Sequence, residues 1–129
     1  MSPASAPLDV AGLQARLRVF SDERGWEPYQ TPKNLAMAMV VEAGELVEIF
    51  QWMSPEASAR VAGQPAVQQH LSEEIADVLV YLLQIADRCG VDVAQAVERK
   101  LQINAAKYPV GQASASLAAA RQLGTDEPS

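Results

Sequence analysis

The stretch Asn34–Trp52, NLAMAMVVEAGELVEIFQW, decides the fold. It holds no proline, and its apolar residues recur at helical spacing. Leu35 to Val41 contains no polar residue, so the apolar surface covers more than one side of a helix. Thr31-Pro32 just before it pairs a capping hydroxyl with a proline suited to the first helical position. The helix is therefore expected to start there and run to about Met53. Inside it, Glu42 and Glu45 stand three residues apart, which puts both carboxylates on one face. A second stretch, Leu71–Ala86 (LSEEIADVLVYLLQIA), repeats the device with Glu74 and Asp77. Its helix is expected from Gln64-Pro65 to Cys89, with Gly90 as the stop.

A core helix normally keeps acids on its wet side. Here they sit among Met37, Val40, Val41, Leu46 and Ile49, and among Ile75, Val78, Leu79 and Leu82. Two carboxylates about 5 Å apart repel by roughly 3 kcal/mol at an effective dielectric near 20. A hard divalent cation with oxygen ligands removes that cost, and Mg²⁺ is the natural candidate, with Mn²⁺ as a substitute. The bland alternative is two solvated helix faces. Glu48 continues the first acidic row and Glu73 flanks the second, each as a further ligand, a water-orienting base or a solvent-facing side chain. A di-iron bundle needs two Glu-x-x-His motifs, but His70 is the only histidine and Val67 stands three residues before it. Zinc fails on the same shortage of His and Cys. His70 itself reads as a surface residue near a helix start.

Elsewhere, Leu13, Leu17 and Phe20 mark a helix over Leu8–Arg24 with Asp9 as its N-cap and Gly25 as its end. Ser54-Pro55-Glu56 opens a shorter helix closed by Gly63, and Asp92 opens a last one that Tyr108-Pro109 stops near Lys107. The expected fold is all-α: a four-helix-bundle-like domain with a short additional helix and no sheet. Residues 8–109 form that domain, 1–7 a flexible lead and 110–129 a loose tail in which Leu117–Leu123 has the makings of a short helix. The length of 129 residues suits one domain. A net charge of −6 argues against a nucleic-acid polymer as partner. One cysteine, no signal-like leader and no apolar run of spanning length point to a soluble cytoplasmic protein. The excess apolar surface points to a homo-oligomer, a dimer or tetramer.

Two further constellations lie outside the acidic pairs. Lys100, Asn104, Lys107 and Tyr108 form one stripe on the last helix, which is either a solvated face or a cationic grip for a polyphosphate. Trp26, Tyr29 and Trp52 flank the first acidic helix, either as packing around a loop or as a stacking wall for a base.

Taken in order, Trp26…Tyr29…Pro32-Lys33-Asn34-Leu35…Glu42-x-x-Glu45-Leu46…Phe50-Gln51-Trp52, Glu73-Glu74-x-x-Asp77-Val78-Leu79-x-Tyr81-Leu82 and Lys100…Asn104…Lys107-Tyr108-Pro109 resemble the MazG-like nucleotide pyrophosphohydrolases. The similarity runs from about Leu13 to Pro109 and is greatest to the dCTP pyrophosphatase branch. The resemblance implies an oligomeric all-α enzyme. It implies Mg²⁺-dependent cleavage of a nucleoside triphosphate, dCTP or a related pyrimidine dNTP, to the monophosphate and pyrophosphate. By position it implies Glu42, Glu45, Glu74 and Asp77 as metal ligands. Lys100, Asn104 and Tyr108 would hold phosphates, and Trp26 and Trp52 would lie near the base. Glu45, Glu73 and Lys100 are the candidates for the chemistry itself. Gln30 stands where the eukaryotic dCTP enzymes carry His, so it is the candidate base-edge reader. Two alternatives stay open: a phosphoribosyl-ATP pyrophosphohydrolase-like enzyme, and a non-catalytic helical oligomerisation module.

Overall fold

The computed structural model describes residues 6–111. Most of the lead and of the tail, including Leu117–Leu123, lies outside the described residues. Among the described residues five helices follow one another: α1 (Val10–Glu23), α2 (Pro32–Phe50), α3 (Pro55–Ser58), α4 (Pro65–Arg88) and α5 (Val93–Lys107). Single 3₁₀ turns occupy Glu27–Tyr29 and Val61–Gly63. No strand occurs among the described residues, so the fold class is all-α.

Local chemistry accounts for the helix ends. Asp9 Oδ1 accepts from the Gly12 amide at 2.9 Å, Thr31 Oγ1 from Asn34 at 3.2 Å and Ser54 Oγ from Ala57 at 3.1 Å. Each satisfies an amide that the first helical turn leaves without a backbone partner. Pro32, Pro55 and Pro65 fill first helical positions, where no amide is missed. α1 and α4 both stop at a glycine in the left-handed region, Gly25 with φ 66° and Gly90 with φ 68°. In each case the next residue's amide reaches back across the turn, Trp26 to the Ser21 carbonyl and Val91 to the Ala86 carbonyl, both at 2.9 Å. This is the Schellman closure, which a side chain at the glycine would strain.

Two expectations are corrected. α2 ends at Phe50 rather than Met53, because Ser54 must be extended ahead of Pro55 and the chain turns before it. The single helix expected from Ser54 to Gly63 divides into α3 and a 3₁₀ turn, and that turn buries Val61.

α2 and α4 form the main packed pair. Leu46, Val47 and Phe50 share a groove with Leu71 and Ile75, so the late half of α2 lies beside the early half of α4 and the two run antiparallel. α1 runs parallel to α4. Gln14 Nε2 donates to the Leu83 carbonyl at 2.9 Å, and one turn further on both helices Arg18 pairs with Asp87. The interior is small: Leu35, Val61, Leu83 and Ala86 are the buried apolar residues. Met37, Val40, Val41 and Val47 on α2, with Ile75 and Leu82 on α4, remain exposed. No helix among the described residues is long and apolar enough to cross a membrane.

The first compact unit ends at Val93 and a second begins at Ala94. Within the second, the Tyr108 amide donates to the Asn104 carbonyl at 2.8 Å, and Lys107 Nζ stands 5.3 Å above the Tyr108 ring.

Candidate metal centre

Glu42 and Glu45 lie one turn apart near the middle of α2, and Glu74 lies in the facing half of α4. Antiparallel packing brings them together: each offers an oxygen within 4.8 Å of the other two. Glu74 is only 8% exposed, the one buried acid among the described residues. Oε2 of Glu42 and Oε2 of Glu74 are both buried without a hydrogen-bond partner. Leaving a buried carboxylate oxygen unpaired is costly, and such orphans call for an ion or an unusual proton.

Electrostatics agree. The Glu42 carboxyl is pushed from its usual 4.5 up to about 7. Burial is the largest cause. A hydrogen bond to Glu45 that only the protonated form can make comes next, followed by the charges of Glu45 and Asp77 and a bond to Glu74. The two helical stretches themselves supply no Lys or Arg: none occurs from Asn34 to Trp52 or from Pro65 to Ala86. Three hard oxygen donors, two orphaned and none opposed by a strong base, fit a hard divalent cation.

The other candidate residues are distributed unevenly. Asp77, one turn beyond Glu74, reaches the cluster through its charge on Glu42 but is exposed and is not one of the three grouped acids. Glu73 and Glu48 are exposed and also stand outside the group. Lys100, Asn104 and Tyr108 belong to α5, with Asn104 half-buried and the other two exposed.

The aromatic residues do not form one wall. Trp26 packs edge-on against Phe20, with ring centroids 5.7 Å apart, beside the start of α2. Trp52 lies past the end of α2 and is 90% exposed. A helix the length of α2 spans about 28 Å, so within one chain the two tryptophans cannot flank one base. Tyr29 is exposed, and its carbonyl accepts from Asn34 Nδ2 at 2.8 Å. Gln30 is half-buried, and its Oε1 accepts from the buried Ser21 hydroxyl at 2.6 Å. That bond ties the loop to α1 and fixes the Gln30 amide.

One residue near the cluster escaped the sequence reading. His70 is exposed, as expected for a surface position, yet its Nε2 stands 3.4 Å from Oε1 of Glu74. The signal was present as the i,i+4 spacing of His70 and Glu74 on one helix.

An antiparallel helical pair with three acids gathered between its helices defines an all-α protein with a candidate cation site. The MazG-like family model matches residues 37–123, and the chain belongs to that family. Among similar proteins, dCTP pyrophosphatase 1 of Rattus norvegicus is 43% identical over 109 residues, covering 84% of this chain and 62% of the rat protein. The chain thus spans about three fifths of the length of that relative. The dATP/dGTP diphosphohydrolase of Cyanophage S-2L is 33% identical over 124 residues, covering 95% of this chain and 97% of the phage protein. The crystal structure of a pyrophosphatase from Archaeoglobus fulgidus superposes with a TM-score of 0.72 at 40% identity, covering 84% of this chain and 99% of that one.

Proposed function

We propose that the chain is a divalent-cation-dependent nucleoside triphosphate pyrophosphohydrolase. It would cleave a (d)NTP between the α and β phosphates and release the monophosphate and pyrophosphate. The observation that carries this reading is the pair of buried, partnerless oxygens on Glu42 and Glu74 beside Glu45. The names of the relatives supply the reaction class; those of the rat and phage proteins differ in the base, so the preference for dCTP or a related pyrimidine dNTP rests on the sequence resemblance alone.

Glu42, Glu45 and Glu74, with Asp77 beside them, would hold the cation, with Mg²⁺ the natural ion and Mn²⁺ a substitute. When bound, the ion neutralises charge on the phosphates and acidifies water. The carboxylates keep that charge-neutralising centre fixed on two rigid helices, so that substrate binding costs no rearrangement of the site. Glu45, within the cluster, and Glu73, beside Glu74 in sequence, would be the acids to orient a water or accept its proton. Lys100, Asn104 and Tyr108 supply a cation, an amide and a phenol, the donors a triphosphate requires. Trp26, Trp52 and Gln30 remain the candidates for the base. Because the tryptophans lie at opposite ends of α2, they can serve one base only across two copies of the chain. That and the exposed apolar faces of α2 and α4 support a homo-oligomeric active form, a dimer or tetramer. Residues 8–109 would then act as one functional domain. The proposed setting is the cytoplasm, where a lone exposed thiol such as Cys89 stays reduced.

The decisive experiment is pyrophosphate release from a panel of dNTPs and from phosphoribosyl-ATP, each with Mg²⁺. Turnover of at least one dNTP, lost in excess EDTA, supports the reading. Turnover confined to phosphoribosyl-ATP would move the chain to the related enzyme class. No turnover of either substrate would leave an oligomerisation module. Full activity in EDTA would overturn the role given to the carboxylates.

A further inference from the structure

Glu74 is held differently at its two oxygens. Oε2 is buried and has no partner, while Oε1 faces Nε2 of His70 at 3.4 Å. A carboxylate rotates freely about its last bond, with broad and roughly two-fold preferences. Unless one oxygen is held, the plane of the group is not fixed, and a cation site built on it is loose. Side chains on a helix lean toward its N-terminus, so Glu74 leans toward the residue four positions earlier. That residue is His70. It is the only basic side chain between Pro65 and Ala86, and α2 from Asn34 to Trp52 has none.

We propose that His70 is a positioning residue for the cation site: its Nε2 holds Oε1 of Glu74 and thereby aims the buried second oxygen at the ion. The inference rests on the cation-dependent reading for the identity of the ion, and goes beyond it in giving His70 a role. The separation of 3.4 Å is that of an ion-pair contact rather than a hydrogen bond. The orphaned oxygen is Oε2, on the other arm of the carboxylate from the imidazole, so the ring acts through the carboxylate and the ion is met by oxygen. Outer partners of this kind orient metal ligands and raise the affinity of the site.

The test is calorimetric titration of the full chain with Mn²⁺ and with Mg²⁺, without nucleotide, at one fixed pH. Wild type is compared with His70→Ala, His70→Phe and His70→Gln. The Phe variant keeps a ring and loses the donor, whereas the Gln variant keeps a donor and loses the ring. Loss of an outer-shell partner weakens metal binding by roughly 10- to 100-fold, and an exposed one belongs near the lower figure. His70→Ala and His70→Phe are expected to bind both ions about 10-fold more weakly, with His70→Gln close to wild type. Unchanged affinity in His70→Ala would overturn the proposal and reduce the pair to an ordinary i,i+4 surface contact. Wild-type affinity in His70→Phe would overturn it by showing that the ring only packs. A loss seen with Zn²⁺ or Co²⁺ but absent with Mg²⁺ and Mn²⁺ would also overturn it, since His70 would then be a direct ligand. If wild type itself binds neither ion, the cation site fails along with the inference. Failure confined to the variants leaves the cation reading intact.

Discussion

Two polar regions flank α4, and they are built on opposite plans. At its C-terminal end two acids face arginines: Asp87 pairs with Arg18 of α1, and Glu27 of the 3₁₀ turn pairs with Arg88 at 3.0 Å. Half-way back along the same helix, Glu74 meets Glu42 and Glu45, and the base that pairs with Glu74 there is a histidine. In the first region the two pairs balance their charges and clamp α1 and the 3₁₀ turn to α4. The second accumulates like charge, and buried carboxylate oxygens there go unpaired. A fold stabilised for its own sake would pair these acids too, as it does one end away. The difference supports the proposal that a cation completes the second region.

Substitution separates the plans most sharply. Glu45→Gln and Glu74→Gln keep side-chain shape and remove a charge. Each is expected to lower kcat by on the order of 100-fold, the scale set by losing one fixed electrostatic group. Each should also raise the melting temperature of the cation-free protein by relieving repulsion. Pyrophosphate release and thermal melting in EDTA check both halves. Near-normal kcat would turn the cluster into a structural feature.

A loss of comparable size, but read on the substrate side, is expected from the second compact unit. Lys100→Ala should cost about 1.5–3 kcal/mol in kcat/KM, the range for a hydrogen bond to a charged group, while cation affinity is preserved. Collapsed Mn²⁺ binding with unchanged turnover per bound ion would show that Lys100 serves the metal side instead.

The acidic region should also reveal itself through pH. Glu42 in the folded chain holds its proton up to about 7, whereas an unstrained glutamate releases it near 4.5. A raised carboxyl pKa favours the folded state at low pH, and that advantage is lost as pH rises through this window. The cation-free protein should therefore lose stability between those values, and saturating Mg²⁺ should flatten the trend. Urea midpoints measured across the window with and without Mg²⁺ check this; stability that rises with pH in EDTA would contradict it.

The paired region should respond least. Asp87→Asn breaks a pair in which Arg18 is 54% and Asp87 22% exposed, and pairs near the surface contribute about 0.2–1 kcal/mol. Its melting temperature should fall slightly and its kcat should hold. A loss of turnover comparable to that of Glu45→Gln would erase the contrast between the two regions.

What the sequence determined by itself is short-range. Asp9, Thr31-Pro32 and Ser54-Pro55 set three helix starts, and Gly25 and Gly90 set two ends, because a cap is satisfied within a few residues of itself. The i,i+3 spacing likewise put Glu42 beside Glu45 before any packing was known. The tertiary structure decided the rest, because it depends on which helices meet and in what direction. Antiparallel packing of α2 on α4 chose Glu74 over its neighbour Glu73 and left two oxygens without partners. The length of α2 parted Trp26 from Trp52, which sequence order had set on either side of one motif. Ser21 took up Gln30 from across a turn, and His70 gained its meaning only when Glu74 was buried beside it. Spacing along a helix fixes which side chains share a face; only packing fixes what that face meets, and so which of its charges go unanswered.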